Sequence, residues 1–268
     1  ALLFGLGFTR VSVGVQSFIQ PELEFLGRRH NAARAVRSVK ELREAGFTNI
    51  GLDLIQAMPG QTVKARMESL GRALELGPQH ISCYELTFED GTPFGDAREK
   101  GLLTPPNQDD AAEGFQATSR FMRERGFVHY EVSNYALGPQ NRSRHNRKYW
   151  AHTPYLGLGP AAHSFDGRRR WWNVPGVEEY VRRAANGWDT VQGSESLTDE
   201  QLRLERLALG FRTMEGVERA DLGDGDSTES LLARVRDEGL VLIEGDRVKP
   251  TVDGMRVADG LARGFMNA

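Results

Sequence analysis

The chain has 268 residues, 39% of them hydrophobic and 26% charged, with a formal net charge of −3. That balance supports one large core or two smaller ones, excludes bulk disorder, and argues against a nucleic-acid binder that relies on overall charge. A single cysteine, Cys83, excludes an internal disulfide framework and makes a reducing cytoplasm the simplest setting.

From the amino end, residues 1–7 are apolar but short and lack a basic leader, so they do not read as a signal peptide. No stretch is apolar for long enough to span a bilayer as a helix. The start at Ala1 rather than Met suggests a piece of a longer protein. Arg10 to Phe18 alternates Val with small residues and reads as a strand ending near Gln16. Pro21 suits the first turn of a short helix that stops at Gly27. Asn31 caps a longer helix with Val36, Val39 and Leu42 on one face and Gly46 as its stop. Asn49 to Ile55 is a second strand. Thr62 caps a helix carrying Val63, Met67 and Leu70, and His80 to Leu86 is a third strand.

Strand, helix, strand, helix, strand predicts parallel strands joined by crossover helices, an α/β fold. In such folds functional groups gather at the carboxyl ends of strands, where Gln16, Asp53 and Glu85 stand. A polar residue closing a strand also serves as a helix cap or loop anchor, so position alone leaves both readings open.

Residues 87–106 read as loop, with Gly91-Thr92-Pro93 as a turn. Asn107 opens a helix with Phe115 and Met122, ended by Gly126. His129 to Tyr135 reads as one extended segment, and residues 138–175 as irregular and rich in Arg, His, Trp and Gly. Thr198 to Gln201 is a capping box before Leu204, Leu207 and Phe211. Leu231 to Gly239 reads as helix, Leu240 to Thr251 as a hairpin turning at Gly245-Asp246, and Val252 to Ala262 as a last helix. That closing order resembles a winged-helix module.

Cys83 has no partner at metal-ligand spacing, and the chain carries neither a P-loop lysine nor a G-x-S-x-G elbow. Gly157 to Ala162 matches a dinucleotide fingerprint in letters but follows a poor strand. Two basic–aromatic runs stand out: Arg144 to Trp150 (RHNRKYW) and Arg168 to Trp172 (RRRWW). Arginines and aromatic faces suit a flat anionic ligand such as a porphyrin, and a histidine can ligate its iron. Single-stranded nucleic acid uses the same residue types, and a plain loop with buried tryptophans and solvated arginines accounts for them too.

Several strings then resemble one family. They are Arg10 to Phe18 (RVSVGVQSF) with Leu26 to His30 (LGRRH), and Gly46 to Ile55 (GFTNIGLDLI) with Pro59 to Thr62 (PGQT). Further along come Tyr84 to Thr87, Gly91 to Phe94, Tyr130 to Ala136 (YEVSNYA), His145-Asn146-x-x-Tyr149-Trp150, and Tyr155 to Phe165 (YLGLGPAAHSF). In order and across nearly the whole chain, they are similar to the coproporphyrinogen III oxidase-like radical SAM proteins, and in the last two strings to its HemW-type heme chaperones.

The resemblance implies the C-terminal part of a partial (β/α)6 radical SAM barrel, truncated before its first strands, plus a small helical winged-helix-like domain. It divides the chain into barrel strands and helices over residues 1–136, a His/Arg/Trp-rich extension packing on the barrel over 137–190, and a HemN-type helical domain over 191–268. It implies a [4Fe–4S] cluster and S-adenosylmethionine in the full-length protein, with heme as ligand. The cluster's cysteine motif is absent from this chain, so no metal site and no radical chemistry are expected of it alone. By the resemblance, Gln16, Arg28, Asp53 and His163 contact S-adenosylmethionine, while His145, Tyr149 and Trp150 form a heme-contact element; no catalytic residue is assigned. Gln56 and Ala57 depart from the aromatic residue and glycine often found after that aspartate. The expected role is heme binding and delivery to acceptor proteins in the cytoplasm, with a homodimer allowed. The alternatives are an oxygen-independent coproporphyrinogen III oxidase of porphyrin biosynthesis and, disfavoured by charge, a nucleic-acid-binding module.

Overall fold

The computed structural model describes residues 2–268. The chain forms two compact units, one up to Arg142 and one from Ser143 onward. The first begins with a short helix α1 (Leu2–Gly5) and continues β1 (Arg10–Gln16), α2 (Gln20–Phe25), α3 (Ala32–Glu44), β2 (Asn49–Gln56), α4 (Val63–Glu75) and β3 (His80–Glu85). Then come α5 (Pro93–Glu99), α6 (Gln108–Arg123), β4 (Val128–Glu131) and β5 (Asn134–Ala136). The side chains of Asn31, Thr62 and Asn107 accept from the backbone N–H groups of Arg34, Ala65 and Asp110, the caps their sequences announce. Gly91-Thr92-Pro93, expected as a turn within a loop, instead starts α5: Thr92 accepts from the Gly95 N–H and Pro93 opens the first turn.

The five strands lie in the order β1-β2-β3-β5-β4, an open mixed sheet. β1, β2 and β3 are parallel, as the alternation of strands and helices predicts. His129 to Tyr135, expected as one extended segment, folds as two strands, and β5 runs antiparallel to both β3 and β4. Only Val132 and Ser133 separate β4 from β5, far too few residues for a crossover, so the chain reverses.

The period of two along the parallel strands sorts their faces. Val15, Ile50, Leu52, Leu54, Ile81 and Cys83 are buried against Val39, Leu70, Ala73 and Met122 of the helices. Each such large side chain contributes roughly 1.5–3 kcal/mol of burial. The opposite face carries two registered rows, Ser12–Gly51–His80 and Gly14–Asp53–Ser82. One face therefore holds the core, and the other presents polar groups and glycines.

The second unit contains α7 (Arg144–Trp150), β6 (His163–Phe165), β7 (Arg169–Asn173), α8 (Val177–Ala185), β8 (Val191–Ser196) and α9 (Asp199–Gly210). It ends with β9 (Val217–Glu218), α10 (Asp226–Asp237), β10 (Val241–Glu244), β11 (Arg247–Pro250), α11 (Val252–Arg256) and α12 (Ala258–Met266). Strands β6, β7 and β8 form one antiparallel sheet, and β10, β11 and β9 another. Residues 138–175, expected as irregular, thus contain a helix and two strands. Their order comes from the Ser143 cap on α7 and from strand pairing, which leave little periodic signal. The Thr198 capping box forms in both directions. Leu207, Phe211, Leu232, Val248 and Phe265 build a second core, with the Phe211 and Phe265 rings stacked at 5.8 Å. The last helix divides at Val257 into α11 and α12. Among the described residues, no helix is long and apolar enough to cross a membrane.

Candidate functional site

The polar face of the first sheet brings two of the expected residues together. The Ser12 hydroxyl donates to Asp53 Oδ1 over 2.9 Å, across the β1–β2 pair. A methyl group on Gly51 would lie 2.8 Å from Ser12 Oγ, so the missing side chain at Gly51 lets that hydroxyl lie flat against β2. Gly14 does the same for Gln16, whose Nε2 sits 2.7 Å from where a Gly14 Cβ would be. Gly14 is the register partner of Asp53, so the Gln16 amide, folded over Gly14, lies on the sheet face that carries the Asp53 carboxylate. Gln16 ends β1 at φ 69°, in the left-handed region, and a β-bulge falls between Gly14 and Gln16. A left-handed L-residue costs about 1–2 kcal/mol, a strain of the kind that clusters at functional sites.

Arg28 is exposed, in the loop after α2. Two residues on, His30 Nε2 lies 2.9 Å from the Val15 carbonyl, which pins that loop to the end of β1 from which Gln16 projects. No hydrogen bond joins Arg28 to Gln16 or Asp53. His163 belongs to the second unit, exposed on β6, with its ring stacked on Trp172 at 5.7 Å.

An amide and a carboxylate on one sheet face suit the ribose hydroxyls and amino group of S-adenosylmethionine. The residues do not suit an iron–sulfur cluster. Cys83 lies in the helix-facing core, 7% exposed, and burial pushes its thiol pKa up. Among the described residues, no group of three or more His, Cys, Asp or Glu is placed to hold a metal ion.

The second unit gathers an aromatic cluster around α7. His145 meets Tyr149 edge-on at 5.0 Å, and Tyr149 meets Tyr155 at 4.7 Å. Tyr149, His152, Tyr155, Phe165, Arg170 and Glu205 line a cavity of about 260 Å³. Of the three residues expected at a heme element, Tyr149 faces this cavity; His145 is exposed, and the Trp150 indole Nε1 is buried without a hydrogen-bond partner. His152 and Glu205 were not singled out from the sequence, and Tyr155 and Phe165 entered only as the ends of the Tyr155 to Phe165 string.

His152 has an unusual backbone. Its N–H bonds to the Tyr149 carbonyl and that of Thr153 to Lys148, the paired bonds of a Schellman motif closing α7. The residue after the cap in that motif is usually glycine, because its φ is positive; here it is His152 at φ 51°. The ring is held on both sides: Nε2 lies 2.8 Å from Glu205 Oε2, and the plane stacks on Phe165 at 4.6 Å and 16°.

Arg170 also bonds Glu205, at 2.7 Å, and Glu195 at 3.3 Å. The Glu205 hydrogen bond is the main reason its guanidinium pKa is raised. Arg168 pairs with Asp199. Two arginines of the basic run are therefore engaged by carboxylates of the same unit. Gly157 to Ala162 leads into β6 rather than a helix, so it offers no helix N-terminus to a pyrophosphate.

No protein-family model matches the chain. The fold is an α/β fold that resembles Escherichia coli coproporphyrinogen III oxidase (HemN), described as a radical SAM enzyme, on which the chain superposes with a TM-score of 0.77. That match has 20% identity and covers 98% of this chain and 65% of that one, so it speaks for the fold alone. The heme chaperone HemW of Mycobacterium tuberculosis is 34% identical over 265 residues, 98% of this chain and 67% of its own length. HemW of Bacillus subtilis is 35% identical over 85% of this chain and 61% of its own length. The mouse mitochondrial radical S-adenosyl methionine domain-containing protein 1 is 31% identical over 95% and 61%. The chain belongs to the HemW heme chaperone family, and it spans about two thirds or less of the length of these relatives.

Proposed function

We propose that this chain serves heme binding and delivery, with heme as cargo and an acceptor protein in the cytoplasm as its destination. The observation that carries the reading is the cavity beside α7, where a residue of the His145-Asn146-x-x-Tyr149-Trp150 string meets three further rings and an Arg–Glu pair. Aromatic walls favour a flat macrocycle, and an imidazole within the cluster favours iron. A titration of ferric heme into the chain, followed by its Soret band, tests this. Saturation at one equivalent is expected; a linear, non-saturating rise typical of heme in detergent would remove the proposal.

We place S-adenosylmethionine on the polar face of the first sheet, with Asp53 and Gln16 holding its hydroxyl and amino groups and Arg28 its carboxylate. When bound in a radical SAM protein it supplies a radical by reductive cleavage; these side chains bind and orient it. The [4Fe–4S] cluster belongs, on this reading, to the longer family architecture. His163 remains a candidate contact by resemblance. The order α9, α10, β10–β11 and α12 supports a winged-helix-like role for the end of the chain, with the barrel segment ending near 136 and the extension near 190.

A further inference from the structure

Helices α4 and α6 cover the core face of the first sheet, and their amino ends enclose a cavity of about 300 Å³. Its walls include Met58, Val63, Arg66, Pro106, Asp110 and Glu113, and it shares no residue with the polar face that carries Gln16 and Asp53. From its charge and size we infer that this cavity binds a small zwitterion of the α-amino acid class, with the carboxylate on Arg66 and the start of α4 and the ammonium toward Asp110 and Glu113. Arg66 carries the argument. It is 4% exposed, yet its Nε and Nη1 have no hydrogen-bond partner. Arginine stays charged in proteins, and a buried charge without a counterion costs a great deal. Glu85 and Glu22 attract it but form no ion pair with it among the described residues, and Glu22 already accepts from Ser17 and Gln61. The guanidinium lies against α6 where Gly114 leaves space, since a methyl group there would sit 2.0 Å from Nη1.

The start of α4 adds to the same pole. Thr62 caps the Ala65 N–H, and the N–H groups of Val63 and Lys64, in the first turn of this 13-residue helix, have no intrahelical acceptor. A helix N-terminus beside a guanidinium suits a carboxylate, held by charge-assisted hydrogen bonds. Phosphate fits less well, because Asp110 and Glu113 stand exposed on α6 and repel a dianion. Asp110 Oδ2 accepts from Asn107 Nδ2 over 2.9 Å, which leaves its other oxygen for a ligand. A buried cation at one end and two exposed carboxylates at the other match a molecule with both charges. Met58, Val63 and Pro106 supply an apolar wall for its side chain. The volume is at the small end of ligand pockets, roughly 300–1,000 Å³, which suits an amino acid rather than a nucleotide.

Isothermal titration calorimetry of the whole chain with L-valine, L-leucine and L-norleucine tests this. At least one should saturate with a Kd of about 1 mM or tighter, and if none does the inference falls. The best binder is then compared with its own deaminated acid, its decarboxylated amine and inorganic phosphate. Each of these lacks one pole and should bind at least about tenfold more weakly. Equal binding of any of them would show that the cavity does not read both charges and would overturn the assignment. Arg66→Met keeps an apolar stem without the charge, and is expected to fold because the charge it removes is unpaired. It should abolish measurable binding; a folded Arg66→Met that binds like the unaltered chain places the ligand elsewhere and overturns the inference. Should that variant lose its far-ultraviolet spectrum, the exposed double variant Asp110→Asn, Glu113→Gln decides. It should keep the fold and weaken amino-acid binding about tenfold or more, while the deaminated acid binds no worse than before. Unchanged amino-acid affinity in the double variant would sink the proposal.

Discussion

Ser12 and Asp53, on adjacent parallel strands, are joined by a 2.9 Å hydrogen bond that fixes the carboxylate over the polar face of the first sheet. The bond exists because Gly51 leaves room for the Ser12 hydroxyl. Gly51→Ala would set a methyl group 2.8 Å from that oxygen and turn the hydroxyl away. Loss of one partly exposed bond to a charged group costs about 1 kcal/mol. Urea unfolding of Gly51→Ala, Ser12→Ala and the double variant should give a combined loss no larger than about the greater single loss. Additive losses would mean that the two residues act separately.

Ala57, where the family often has glycine, takes φ 56° and is 6% exposed, with its N–H bonded to Gln61 Oε1 at 2.9 Å. Removing its Cβ relieves left-handed strain of about 1–2 kcal/mol, against a loss of about 0.5–1 kcal/mol from greater freedom of the unfolded chain. Ala57→Gly should therefore leave stability unchanged or raise it by up to about 1 kcal/mol. The thermal midpoint would move upward by no more than a few degrees. A fall of several degrees would show that the methyl group packs favourably enough to outweigh its strain.

Acid should destabilise the first unit through two buried histidines. Burial lowers His80 to about 3, with Arg10 adding to the effect, and burial lowers His129 to about 4. The unfolded chain, near the ordinary 6.5, binds protons that the folded one refuses, so stability falls as pH drops from about 6.5 toward 4. At pH 5 each histidine costs up to about 2 kcal/mol. Denaturant unfolding at pH 7 and pH 5 measures the loss, and His129→Gln should flatten the dependence. An unchanged midpoint between those two pH values would contradict the burial argument.

Cys83 should be inert in the folded state. It lies in the helix-facing core and burial raises its thiol pKa, so thiolate is scarce at neutral pH. Ellman's reagent should label it only after denaturant is added, at the rate of unfolding. Rapid labelling of the native chain would place the thiol nearer solvent than the fold does.

Phe211 is fully buried and stacks on Phe265 in the core of the second unit. Phe211→Ala should cost about 3–5 kcal/mol, because the cavity adds to the lost transfer energy. The loss is read as a lowered denaturation midpoint, and a cost below about 1 kcal/mol would imply that the site collapses around the gap.

The local elements were legible because local chemistry dictates them. Alternation in Val11, Val13 and Val15 and the caps at Asn31, Thr62, Asn107 and Thr198 gave the strands and helices in which they occur. The strings around Gln16 and Asp53 pointed to a shared face; the register sets Asp53 beside Gly14, and past the bulge the Gln16 amide folds back over Gly14. The helix at Pro93 was masked by letters that also spell a turn, and the reversal between β4 and β5 by a run, HYEVSNY, that reads as one extended segment.

What sequence alone determined was the family, the parallel strands and the helix starts capped by Asn31, Thr62, Asn107 and Thr198, since each cap and strand rests on neighbours a few residues apart. Tertiary structure alone decided which side chains meet: Ser12 with Asp53 across 41 residues, and His152 with Glu205 across 53. Such pairings depend on strand register, on glycines that leave space, and on a left-handed turn filled by a histidine. None of these imposes a period or spacing on the chain, so folding has to bring the partners together before they can be seen.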